Sequence, residues 1–187
     1  MTDNASKARV PLWDPECLDP VEFVRYEVHH PLLFQALRRA GWVPGQPRRP
    51  PEDGLRRASR LTVDCYWGDA FIWNFFGFKI QVERSVLGLH SFEREITFCA
   101  GAAFDLLVSE VSGFQDVLRD AIGTDRALAV GESEGQALMV NDRGQAALVE
   151  QSLAAYVVGD NPFSVLSWYL FGEEHPDVRI VTLREGI

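Results

Sequence analysis

The sequence predicts an α+β fold in one domain. Three observations carry this. Helical signals stand toward the two ends of the chain, and short alternating or β-branched segments separated by Asx and Gly turns crowd its middle, so strands and helices do not alternate as they do in a βαβ array. A chain of 187 residues suits one domain better than two and buries a full core without disulfide staples. An apolar share of 47 % and a charged share of 24 % are ordinary for a globular protein.

Residues 1–20 read as an extended lead-in, because Pro11, Pro15 and Pro20 discourage helix. The domain proper is expected over residues 21–187. Pro31–Ala40 reads as a short helix, with Leu33, Ala36, Leu37 and Ala40 on one face at i, i+3, i+4 and i+7. Pro31 fits its first turn and Gly41 its stop. Residues 41–54, rich in Pro and Gly, make a loop. Residues 69–76 predict a helical turn ended by Gly77, and residues 78–84 a strand. Glu93–Ala100 alternates polar and apolar residues as a half-buried strand does. Residues 102–121 look helical, with a break near Ser112-Gly113. Arg126–Val130 and Gln136–Val140 flank a hairpin connection, and Asn141-Asp142-Arg143-Gly144 makes a second reversal into the strand Gln145–Val149. Leu153–Val158 reads as a strand. Asn161 is an N-cap before Pro162, opening a helix Pro162–Phe171 that stops at Gly172. Val178–Leu183 is the last strand.

No stretch approaches the ~20 apolar residues that span a bilayer, and the N-terminal residues lack the apolar core of a secretory signal. Cys17, Cys65 and Cys99 are odd in number and far apart. They point to buried thiols in a reducing, cytoplasmic setting. The net charge of −9 is unevenly spread. Residues 1–62 carry ten Lys and Arg against eight Asp and Glu, a net of +2, and residues 63–187 carry a net of −11. An acidic body repels nucleic-acid phosphate and favours basic partners. Seven arginines lie between Arg38 and Arg60, but Glu52 and Asp53 interrupt them. A solvated loop and helix face accounts for them better than a nucleic-acid patch does.

Catalytic signals are few. Gly131-Glu132-Ser133-Glu134-Gly135 has the G-x-S-x-G spacing of a nucleophile elbow, which needs a strand, a sharp turn and a helix. The residues after it run into another turn, so a β-hairpin is expected. Only His175 lies downstream as a base. His29 and His30 are adjacent and diverge by roughly 100° on a helix. No HExxH, CxxC or DxDxG spacing occurs, and no phosphate-binding glycine motif. Glu93 and Glu95 share a strand face as solvated charges. The aromatic run Tyr66, Trp67, Phe71, Trp73, Phe75, Phe76 and Phe78 reads as core in preference to a base-stacking platform. No catalytic residue, metal ligand or cofactor is therefore expected.

Phe34-Gln35-Ala36-Leu37-Arg38-Arg39-Ala40-Gly41-Trp42-Val43-Pro44-Gly45-Gln46 resembles the opening motif of the SUKH-3 branch of the SMI1/KNR4-like (SUKH) superfamily. Ala70 to Ile80 is similar to that family's Gly-rich segment. Gly131-Glu132 with Val140 to Gly144 is similar to its hairpin, and Gly159 to Gly172 to its closing helix. The likeness spans roughly residues 30–172. Gln46, Phe76-Gly77-Phe78 and Ala147 depart from the pattern. The resemblance implies a mixed, mostly antiparallel sheet flanked by helices. It implies an immunity protein that binds and neutralises a cognate toxin, with Gly41, Trp42, Gly77, Gly131 and Gly144 holding turns and packing. Its acidic charge suits a basic toxin, such as a nuclease. The expected contacts are Asp64, Asp69, Glu132, Glu134, Glu173 and Glu174, with Trp67 as an apolar anchor. A regulatory scaffold of the same fold and a hydrolase using Ser133 are the alternative functions.

Overall fold

Pro31 decides where the first long helix begins. A residue before proline is pushed out of the α region, and proline has no N–H to give. A helical turn at residues 26–29 is therefore interrupted at His30, with φ −133° and ψ 55°, and the helix restarts as α1 (Pro31–Arg39). Leu33, Phe34 and Leu37 form its buried stripe, and it ends at Gly41 with φ +95°. The computed structural model describes residues 26–46, 48, 65–86, 90–99, 119, 121–123, 127–150 and 155–182. The lead-in at 1–20, most of the arginine-rich loop and all but the end of the helix expected at 102–121 lie outside the described residues.

The second helix, α2 (Tyr66–Phe75), begins three residues ahead of the expected segment. Gly68 lies within this extension, and the fold needs it there. A methyl there would stand 2.5 Å from Leu128 Cβ, so glycine lets the helix lie directly on the sheet. The N–H of Gly77, at φ +78°, donates to Phe98 O at 2.8 Å and turns the chain into the first strand.

Seven strands follow: β1 (Lys79–Val86), β2 (His90–Thr97), β3 (Ala127–Ser133), β4 (Gln136–Asn141), β5 (Ala146–Glu150), β6 (Ala155–Gly159) and β7 (Arg179–Thr182). They pair in sequence order, and every pairing is antiparallel. The parallel component expected of a mixed sheet is absent among the described strands. Tight turns at Glu134-Gly135 and at 142–144 permit only antiparallel pairing. At the second turn, Asn141 Oδ1 accepts the N–H groups of Arg143 and Gln145, both at 2.9 Å. Its Nδ2 donates to Ile122 O at 2.9 Å. The third helix, α3 (Pro162–Phe171), is capped by Asn161 Oδ1, which accepts the Ser164 N–H at 2.9 Å.

The sheet is buried on both faces through its centre, as alternation requires. Leu128, Val130, Leu138, Val140 and Leu148 point toward α1, α2 and α3 and join Phe34, Phe71, Phe75 and Phe163 in the main core. Ala127, Ala129, Ala137, Met139, Ala147 and Val149 form a second core on the opposite face with Ala121 and Ile122. Of the expected aromatic core, Trp67, Phe71, Phe75 and Phe78 are buried and Phe76 packs against them, Trp73 is half-buried, and the Tyr66 side chain lies outside the described ones. Trp42 packs on Phe34 and Phe75 with ring centroids 5.6 Å away in each case. The β1–β2 ribbon joins this body narrowly. Among the described residues, β2 and β3 share the single paired position Thr97–Glu132, next to a bulge between Ala129 and Gly131.

Candidate functional site

The residues expected to meet a partner fall into different environments. Asp64 lies outside the described residues, and Asp69 falls within α2 without a described side chain. Trp67 is not an exposed anchor. It is 8 % exposed, because its indole lies over Gly144, where a methyl would come within 3.3 Å of the ring. Glu132 and Glu134 sit on the β3–β4 hairpin, half-buried and exposed respectively. Glu173 and Glu174 follow α3, the first half-buried and the second exposed. The hairpin and the end of α3 meet where Ser133 Oγ and Tyr169 Oη share a hydrogen bond of 2.5 Å.

That bond also bears on the G-x-S-x-G spacing. Ser133 ends β3, and the next element is β4, not a helix. The strand–turn–helix geometry that would present a nucleophile is not formed.

The strand register assembles an acidic face that no single motif announces. Lys79 pairs with Thr97, Gln81 with Glu95 and Glu83 with Glu93, while Thr97 pairs with Glu132. Partners in register point to the same side. Glu83, Glu93, Glu95 and Glu132 therefore share one side of the ribbon, continuous with the second core through the Glu132–Ala137 pair. Glu83 and Glu93 are exposed and directly opposed. Lys79 Nζ lies 2.8 Å from Glu95 Oε2, and this bond raises the lysine pKa. Gln81 Nε2 donates to Glu93 Oε1. Burial first, and then Glu132, push the Cys99 thiol up to about 12.

A second cluster lies where the start of α1 meets the segment after α3. His29 stays exposed, but the break at His30 accompanies a buried imidazole, 3 % exposed. His30 Nδ1 is 3.1 Å from Ser167 Oγ of α3. The His30 and His175 rings lie 4.6 Å apart between centroids. Burial first, and then the neighbouring His175, lower the His30 pKa to about 4, while Asp177 acts in the opposite sense. Glu173 Oε2 stands 3.8 Å from His175 Nε2, too far for a hydrogen bond. Candidate donor atoms of His30, Glu173 and His175 all lie within 4.8 Å of one another. A cleft of about 400 Å³ adjoins this segment, lined by Asp160, Pro176, Asp177 and Arg179 among others. Sequence reading missed the cluster, because the residues come from opposite ends of the chain and follow no local ligand spacing.

The fold and these sites define an α+β protein with a seven-stranded antiparallel meander, an acidic strand ribbon and a His–Glu–His cluster where the start of α1 meets the segment after α3. No protein-family model, no curated protein and no solved structure matches the chain. Among the described residues no helix is long and apolar enough to cross a membrane.

Proposed function

We propose that this chain is an immunity-type inhibitor that binds a basic toxin domain through protein–protein contact. The observation that carries the reading is the acidic side of the β1–β2 ribbon, with Glu83, Glu93, Glu95 and Glu132 against Lys79 among the described side chains. Like charges placed directly opposite on neighbouring strands cost stability. Glu83 facing Glu93 is therefore an arrangement that a basic partner would relieve. The ribbon thereby replaces Trp67 as the centre of the expected contact, and Glu132 and Glu134 stand at its margin. The resemblance to the SUKH superfamily supports the same reading. Its motif residues take structural roles: Gly41, Gly77 and Gly144 sit at φ +95°, +78° and +76°, and Trp42 is 2 % exposed.

An acidic inhibitor gains a fast, salt-sensitive association with a basic enzyme surface, in the way phosphate does. Co-expression with a toxic effector domain from a neighbouring gene of its source should restore growth and give a complex on size exclusion. The double variant Glu93→Lys/Glu95→Lys should lose both. Neither rescue nor complex from the unaltered chain would defeat the proposal.

A further inference from the structure

We propose that His30, Glu173 and His175 form a three-ligand site for a divalent transition-metal ion, zinc first among them. Two imidazoles and one carboxylate are the donor set that zinc accepts with a fourth position left open. Their candidate ligand atoms already converge to within 4.8 Å of one another. Around a tetrahedral ion with bonds of about 2.0–2.2 Å, ligand atoms stand roughly 3.4 Å apart. The Glu173–His175 separation of 3.8 Å is near that value.

The stronger argument is what these atoms lack. Glu173 Oε2 and His175 Nε2 are both buried from solvent and neither has a hydrogen-bond partner. Buried polar atoms are nearly always satisfied, and leaving one unpaired costs of the order of a whole hydrogen bond. Two such atoms facing each other at 3.8 Å are accounted for by a cation between them. Ser167 supplies the outer support. With Nδ1–H donating to Ser167 Oγ at 3.1 Å, the other His30 nitrogen keeps its lone pair for the ion. The bound metal ties the start of α1 to the segment joining α3 to β7, so it acts as a clasp across the domain. This inference is independent of the toxin reading.

The test uses the full chain, freed of metal with a chelator and dialysed. Zinc chloride in about hundredfold excess over its dissociation constant should raise the thermal midpoint by roughly 5–10 °C. Isothermal titration should give one equivalent. Cobalt chloride should give the visible absorption of a tetrahedral site. Glu173→Ala and His175→Ala should keep the parent's circular dichroism, each with its own metal-free midpoint, and should lose the zinc shift relative to that midpoint. His29→Ala should retain it. No shift and no cobalt spectrum with the unaltered chain would overturn the proposal. So would an equal shift in Glu173→Ala and His175→Ala, because the ion would then sit elsewhere.

Discussion

At the scale of single residues, the environment of a side chain decides its chemistry more than its type does. Cys99 shows this. Its thiol is half-buried beside Glu132, and with its pKa near 12 it holds its proton at any physiological pH. Iodoacetamide, which reacts with thiolate, should therefore label Cys99 far more slowly at pH 8.5 than it labels the unfolded chain. Glu132→Gln should speed this labelling without bringing it to the unfolded rate, because burial is the larger cause. Peptide mass spectrometry reads both rates. The linkage has a definite sign. An unfolded thiol ionises near 9 and the folded one near 12. The stability this group contributes is present below pH 9 and lost as pH rises through that window. His30 shows how much of such an environment sequence reveals. The His29-His30 pair was legible as two divergent imidazoles, and Pro31 marks the helix start. Which imidazole turns inward depends on Ser167, 137 residues away, and no local pattern encodes that.

At the scale of elements, caps and turns were the most legible features because their causes are local. Pro31 and Gly41 bracket α1, and Asn161, Pro162 and Gly172 bracket α3, each at the position its backbone preference demands. Asn141 and Gly144 likewise made their reversal readable. The start of α2 was not readable, because Gly68 is a poor helix former by propensity and is selected by contact with Leu128. Gly68→Ala raises intrinsic helix propensity by about 1 kcal/mol, yet it should destabilise the protein by about 1–3 kcal/mol or more, since the added methyl overpacks the helix–sheet seam. Urea denaturation would show the sign. Asn141→Ala should cost about 2–4 kcal/mol, because it strands two turn N–H groups and the Ile122 carbonyl that the amide now satisfies.

For the whole molecule, the charge asymmetry was plain in the sequence but its location was not. Alternation places Glu93 and Glu95 together on one strand. Only the β1–β2 register adds Glu83, and only the narrow β2–β3 junction adds Glu132. Antiparallel pairing was legible at the two tight reversals around β4, whereas the pairings of β2 with β3 and of β6 with β7 cross long connections whose direction no residue type specifies. The acidic ribbon makes binding and stability respond in opposite directions. Glu93→Lys should stabilise the free chain by several tenths of a kcal/mol, by replacing the repulsion across from Glu83 with attraction. The same change should weaken capture of a basic partner. A rise in urea midpoint together with a slower, less salt-sensitive association rate is the expected pair of results. A loss of stability greater than the Gln81–Glu93 hydrogen bond accounts for would contradict the assigned register.

The sequential meander also sets the order in which the native state can be assembled. From β3 to β6 each strand meets its neighbour across a short connection, so these hairpins can zip up soon after they leave the ribosome. By contrast, α1 packs on α3, among the last segments to be made. The first long helix must therefore wait, its buried stripe of Leu33, Phe34 and Leu37 without its final seat until α3 arrives. Substitutions in β4 should slow refolding, whereas Leu37→Ala should chiefly accelerate unfolding, as stopped-flow measurements of both limbs would reveal.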